Sequence, residues 1–232
     1  MNLVITGGTK GIGRAAIELF ASKGFNIITC SRHEDELNYL EEIMHSKYPS
    51  IEIHTMVCDM GDKTSVLGFA DFIHAKFSTI EVLVHNAGLF FPGTVETEAD
   101  GTFETLMNLN IGGSYHLTRA LIKKIKMTPG AHIFTMCSTA SIKGYLNGGS
   151  YCISKFALLG MTKVLREELK NENVKVTAMI SGAAYTDSWA GTHHPVERFM
   201  KAEDIAQSIY DCYNLKSGVV EEILIRPQLG DI

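Results

Sequence analysis

The sequence predicts an α/β fold: one doubly wound parallel sheet of about seven strands with helices on both faces. Two observations carry that prediction. Short apolar runs recur at 2–6, 25–30, 51–58, 80–85, 131–137, 174–180 and 221–226, several of them flanked by Gly, Asp or Asn. Between them, 12–23, 62–76, 101–126, 150–170 and 203–213 carry apolar residues at helical spacing, as in Ile12, Ala15, Ala16, Leu19 and Phe20. Apolar, bounded strands suit a parallel sheet covered on both sides. Right-handed crossovers then place ligands at the carboxyl ends of the strands, near the point where strand order reverses.

The bulk numbers agree with one such unit. A chain of 232 residues with 45% hydrophobic content can bury a full core, and no repeat, low-complexity tract or Pro/Ser-rich linker divides it, so 1–232 is expected as a single domain. Charged residues make up 20% and sum to -5, which gives no field to gather nucleic acid. The first apolar run follows Met1 and Asn2 directly and breaks at Gly7 and Gly8, so it fits no leader. No run reaches the roughly 20 apolar residues of a membrane span. A cytoplasmic location without membrane or nucleic-acid partners is expected. Cys30, Cys58, Cys137, Cys152 and Cys212 form no C-x-x-C pair and read as reduced, buried thiols. His193-His194 is an adjacent pair with no H-x-x-x-H beside it, so no metal is expected.

The first strand leads into Thr6-Gly7-Gly8-Thr9-Lys10-Gly11-Ile12-Gly13 and then a helix. Glycines let the backbone turn sharply and approach a pyrophosphate, while the helix start offers unpaired N–H groups. The second strand ends at Cys30-Ser31-Arg32, where an NAD enzyme usually carries an acid for the ribose 2′-hydroxyl. Arg32 instead offers a planar charged fork for a 2′-phosphate, and Lys10 a second cation, so NADP(H) is the expected cofactor. Asp59 closes the third strand and is a candidate acceptor for the adenine amino group. Asn86-Ala87-Gly88 closes the fourth; Asn86 either meets the nucleotide or ties strand ends together.

Tyr151 and Lys155 stand four apart at the start of a helix and share its face. Tyrosine is common in this chain, so the pair alone is weak evidence; its context carries the weight. A phenol ordinarily titrates near 10, and an adjacent ammonium stabilises its phenolate. Tyr151 can then act as general acid toward a carbonyl oxygen, or base toward an alcohol, while a hydride moves on the cofactor. Ser138, just after the fifth strand, can hydrogen-bond the same oxygen. Asn110 interrupts an apolar helical stretch; if buried it needs a partner, and a water chain to Lys155 would supply one.

These motifs, in this order and at this approximate spacing, resemble the short-chain dehydrogenase/reductase family in its compact, Rossmann-type form. The resemblance runs from residue 2 to the C-terminus. It implies that Asn110, Ser138, Tyr151 and Lys155 form a catalytic tetrad and that Lys155 also binds the nicotinamide ribose. It further implies cofactor contacts at Gly182, Ala184 and Thr186, and association into a homodimer or homotetramer through the helices holding Asn110 and Tyr151. Two positions depart from the family pattern: His85 precedes Asn86 where a second asparagine is usual, and Ser181 precedes Gly182 where a proline is usual. The segments 184–189 and 219–232 are similar to bacterial sepiapterin-reductase-like members.

The irregular stretch 182–200, with Gly182, Gly191, Pro195 and the only tryptophan, Trp189, is the candidate substrate lid. Asp187 or Glu197 is a candidate carboxylate for an amino-pyrimidine edge, or else a plain surface acid. The expected substrate is a small or medium carbonyl, with a pterin side-chain ketone, a 3-oxoacyl thioester and a generic dicarbonyl all open. A nucleotide sensor that binds NADP without turnover is the alternative, though it has little need of Ser138, Tyr151 and Lys155 together. Sugar-nucleotide epimerisation would call for a further substrate domain.

Overall fold

The computed structural model describes residues 1–186, 189 and 191–231. Seven strands, β1 (Asn2–Thr6), β2 (Asn26–Ser31), β3 (Ile53–Val57), β4 (Val82–His85), β5 (His132–Ser138), β6 (Lys175–Ser181) and β7 (Glu222–Ile225), pair in parallel in the order β3-β2-β1-β4-β5-β6-β7. Strand order reverses between β1 and β4, the switch point at which such sheets open a crevice. The predicted Rossmann-type architecture is what the chain adopts.

Side chains alternate across the strands, as pleating requires. Leu3 and Ile5 of β1 enter a core with α1 (Gly11–Ser22), α2 (Glu34–Lys47) and α7 (Ala202–Tyr213), whereas Val4 enters the opposite core with α3 (Lys63–Lys76) and α5 (Gly113–Met127). Helix α6 (Gly149–Leu169) covers β5 and β6 through Leu158 and Leu159 against Cys137, Ala178 and Ile180. On the first face, Phe20 meets Phe25 and Tyr210 edge-on at 5.0 and 5.3 Å, locking α1 to α7. Each such pair adds about 0.5–1.5 kcal/mol beyond its buried area. All five cysteines are buried free thiols.

Two elements differ from the sequence expectation. Helix α2 was not anticipated, because only Leu37, Leu40 and Met44 of its residues are buried and its other faces are charged. The expected helix 101–126 is two helices, α4 (Thr102–Met107) and α5, joined by a π-helical turn, Asn108–Gly112. Among the described residues no helix is long and apolar enough to cross a membrane.

Candidate active site

The glycine turn is built from backbone. Gly7 (φ 69°) and Gly11 (φ 53°) lie in the left-handed region that side chains disfavour. A Cβ on Gly13 would run into the Gly7 carbonyl and come within 2.6 Å of Asn86 Nδ2. Among the described residues no side chain caps the start of α1, and its first turn holds no acid. By contrast, Asp62 caps α3 by accepting from Thr64 N at 3.2 Å and Ser65 N at 3.1 Å. The open N–H groups of α1, including those near Ile12, are therefore available to a phosphate.

Thr6 and Asn86 weld β1 to β4. Thr6 Oγ1 accepts from Asn86 N at 3.1 Å and Ala87 N at 3.0 Å. The Asn86 amide donates to Thr6 O at 3.0 Å and Gly7 O at 2.9 Å. Of the two roles open for Asn86, the side chain performs the structural one.

The ribose end differs from expectation in one respect: a carboxylate is present. Glu36, from the first turn of α2, pairs with Lys10 at 2.8 Å and accepts from Thr9 Oγ1 at 2.8 Å. The Lys10 ammonium holds Glu36 below the usual carboxylate range, with Thr9 assisting. Nothing in the local sequence around Ser31 announced this, because Glu36 arrives from a helix that was not foreseen. Thr9 Oγ1 also lies 3.5 Å from Ser31 Oγ, and Arg32 is exposed beside them. Asp59 is exposed at the end of β3, its Oδ1 accepting from Gly61 N at 2.8 Å.

On the other side of the switch point, Tyr151 and Lys155 lie in the first two turns of α6. Lys155 is 7% exposed; its Nζ donates to Met136 O at 2.8 Å and stands 5.8 Å from the centre of the Tyr151 ring. As its one hydrogen bond among the described residues, that contact leaves ammonium protons for the cleft, where Gly88 lines the way: a Cβ there would be 3.5 Å from Lys155 Nζ. Ser138 ends β5, its hydroxyl accepting from Ala140 N at 3.1 Å.

Asn110 sits in the π-helical turn, fully buried, and bonds differently from the expected water chain to Lys155. Its Oδ1 accepts from Leu89 N at 2.8 Å; its Nδ2 donates to Leu89 O at 3.0 Å and Ser154 Oγ at 2.9 Å. Asn110 thus pins the loop after β4 to α6 directly. Ser154, one residue before Lys155, is a partner the sequence reading missed. So is Phe90, whose ring meets that of Tyr151 edge-on at 4.9 Å.

His85 occupies the position where a second asparagine was usual. Its Nε2 lies 2.7 Å from Thr118 Oγ1, facing α5 and away from the cleft. Burial pushes its pKa down to about 4. Ser181, in place of the usual proline, ends β6, and Gly182 N donates to Ile225 O at 2.8 Å, so the turn is held by β7.

The described residues of 182–200 bring the two ends of that segment together. Ala184 is buried and bridges to Met200, with Tyr185 N donating to Met200 O at 2.9 Å. Thr186 reaches Gly11, whose Cβ would lie 2.9 Å from Thr186 Cγ2. Trp189 packs on Phe199 at 5.0 Å. Glu197 is exposed in a short turn, Val196–Arg198, and Asp187 lies outside the described residues. A groove of about 930 Å³ opens beside Gly11 between α1 and α7, lined by Arg14, Tyr185, Glu197 and Met200, with Tyr151 not among its described lining residues.

The family model for short chain dehydrogenases matches residues 1–196. The chain belongs to that family. It is an oxidoreductase of the short-chain dehydrogenase class. Among its relatives is the sepiapterin reductase of Chlorobaculum tepidum, 31% identical, with 99% of this chain and 97% of the relative aligned. Another is the 3alpha-hydroxysteroid dehydrogenase of Mediterraneibacter gnavus, 28% identical over 95% of this chain and 93% of the relative. Among solved structures, an alcohol dehydrogenase from Thermococcus sibiricus complexed with 5-hydroxy-NADP superposes with a TM-score of 0.89 at 24% identity, covering 98% and 96% of the two chains. L-sorbose reductase from Gluconobacter frateurii, complexed with NADPH and L-sorbose, gives 0.89 at 22%, covering 97% and 95%. At those identities the structural likeness speaks for the fold of this short-chain dehydrogenase.

Proposed function

We propose that this chain is a cytoplasmic, NADPH-dependent carbonyl reductase in which Tyr151 is the general acid. The observation that carries the reading is the pairing of Tyr151 with a buried Lys155 whose Nζ is fixed by Met136 O at 2.8 Å. The cradle also fits the cofactor: Gly7, Gly11 and Gly13 leave room beside the uncapped start of α1. When bound, NADPH supplies the hydride. Tyr151 gives its proton to the carbonyl oxygen, Lys155 stabilises the phenolate left behind, and Ser138 donates a hydrogen bond to the same oxygen. Lys155 also takes the nicotinamide ribose, with Thr186 and Gly182 at the nicotinamide end and Asp59 at the adenine end. Lys10 and Arg32 take the 2′-phosphate, which must share Lys10 with Glu36.

The substrate class we favour is a ketone beside a flat ring, of the pterin side-chain kind. Phe90 stands edge-on to Tyr151, and Phe90, Phe91 and Tyr145 remain exposed. The name of the Chlorobaculum relative supports the same choice. Phe103, Tyr115, Ile153, Phe156 and Val164 stay exposed on α4, α5 and α6, which supports a homodimer or homotetramer through that face. The free, buried thiols support a reducing, cytoplasmic setting.

The test is NADPH oxidation against sepiapterin, an acetoacetyl thioester and diacetyl, with Tyr151→Phe as control. We expect turnover of at least one carbonyl, tighter binding of NADPH than NADH by fluorescence titration, and loss of about 10²–10⁴-fold in kcat for Tyr151→Phe with cofactor affinity kept. Unchanged turnover in that variant removes the mechanism. Tight NADPH binding with no turnover of any carbonyl would instead favour a sensor.

A further inference from the structure

The loop between β4 and α4 carries a carboxylate that the motifs do not include. Glu98 Oε1 accepts from Ser150 N at 2.7 Å, and Glu98 Oε2 accepts a short hydrogen bond from the Ser150 hydroxyl. Ser150 is the second residue of α6, directly before Tyr151, and is 3% exposed. The residue before helix α6, Gly148, has no side chain to cap it. The cap is therefore supplied from a residue 52 positions away.

The space around that carboxylate is made by glycines. A Cβ on Gly149 would collide with Glu98 Oε1, and one on Gly93 would lie 2.6 Å from Glu98 Cγ. Gly93 N donates to Asn147 O at 3.0 Å, and Gly93 bridges to Gly148, so the same loop grips the approach to α6. The loop also carries Phe90, which touches the Tyr151 ring. Below, Asn110 and Ser154 tie the same loop to the next turn of α6.

We propose that Glu98 is a positioning residue for Tyr151: its carboxylate anchors the first turn of α6, so the phenol is presented at a fixed height and angle to the cleft. A free first turn would fray, as uncapped helix starts do, and Tyr151 would sample poses from which proton transfer is slow. The inference rests on the assignment of Tyr151 as proton donor given above.

The test uses the full chain and three variants, Glu98→Ala, Glu98→Gln and Tyr151→Phe, with steady-state kinetics, NADPH titration and amide hydrogen exchange. Glu98→Ala should lower kcat by about ten- to a hundredfold, the scale on which a misplaced reacting group costs turnover, while the Kd for NADPH holds. Glu98→Gln should recover to within about threefold, because its amide oxygen still accepts from Ser150 N–H and its NH₂ can donate to the hydroxyl. Wild-type turnover in Glu98→Ala, or a loss of NADPH affinity in step with kcat, overturns the proposal.

Exchange keeps the outcome separate from the reading of Tyr151. The Ser150 amide should exchange about tenfold or more faster in Glu98→Ala, since it loses the only acceptor it has among the described residues, but not in Glu98→Gln. If the wild type reduces no carbonyl, the function assigned to Tyr151 falls, and the exchange rates alone decide whether Glu98 anchors α6. Equal exchange in the wild type, Glu98→Ala and Glu98→Gln rejects the anchor.

Discussion

On the β1–β3 side of the sheet the cleft is shaped by backbone: a turn of glycines, an uncapped helix start, and a threonine and an asparagine that bond main-chain atoms. On the β4–β6 side it is shaped by side chains that reach across long sequence separations, 21 residues from Asn110 to Leu89, 44 from Asn110 to Ser154, and 52 from Glu98 to Ser150. In the proposed function the first half surrounds the cofactor with main chain, which is fixed once the turn is made. The second half, on the same proposal, must aim one phenol, and aim comes from satisfied buried hydrogen bonds. The halves should accordingly fail in opposite ways, one when atoms are added and the other when they are removed.

The largest effect is expected on the side-chain half. Asn110→Ala strips the partner from Leu89 N and Leu89 O and takes from Ser154 Oγ its donor, leaving that hydroxyl only its bond to Tyr151 O, and each polar group left unpaired away from water costs about 1–3 kcal/mol. A loss of about 3 kcal/mol is expected in urea unfolding, with turnover falling as well. A loss below about 1 kcal/mol would mean that the π-helical turn holds itself, and the contrast would be broken.

Next comes the backbone half. Gly13→Ala deletes nothing, yet its Cβ meets the Gly7 carbonyl and Asn86 Nδ2. We expect a cost of about 1–3 kcal/mol and weaker NADPH binding, with amide exchange in α6 unchanged. Urea unfolding and fluorescence titration measure the two parts, and unimpaired NADPH binding would show that the turn can give way.

The smallest effect belongs to neither half of the cleft but to the floor beneath it. Burial lowers His85 to about 4, and burial with Lys175 nearby lowers His132 to about 3. Their Nδ1 atoms have no partner among the described residues. An unfolded histidine takes up its proton near pH 6.5, so below that pH the unfolded chain binds more protons than the folded one. The stability held by neutral His85 is complete above pH 6.5 and drains away as the pH falls toward about 4. At pH 5.5 the loss from one such group is about 1 kcal/mol. Between pH 7.5 and 5.5, His85→Asn should lose less stability than the wild type. Parallel losses would show that His85 is not the titrating group.

The same contrast explains which parts were legible in the sequence. Strand positions were readable to within two residues at every end, because apolar runs bounded by turns have few alternatives in a parallel sheet. The glycine turn was readable because its logic is local. Helix α2 escaped because a helix that buries only Leu37, Leu40 and Met44 shows little periodicity among its charges. With it went Glu36, the acid missing from the end of β2 in the linear reading. Asn110, Ser138, Tyr151 and Lys155 could be named from motif order, but their partners could not. Nothing about Glu98, Ser154 or Phe90 in one dimension announces contacts that exist only after β4, the π-helical turn and α6 have packed.

The π-helical turn at Asn108–Gly112 carries one consequence further. It holds one residue more than an α-helical turn, so everything after it is rotated by roughly 100° about the axis relative to an unbroken helix. That phase change lets α4 present one side to α6 while α5 presents another to α3. Removing any one of the four other residues of 108–112 would reset the phase and swing Asn110 off Leu89 and Ser154. At this point the chain is keyed by length, and a silent deletion is harder to find there than a silent substitution.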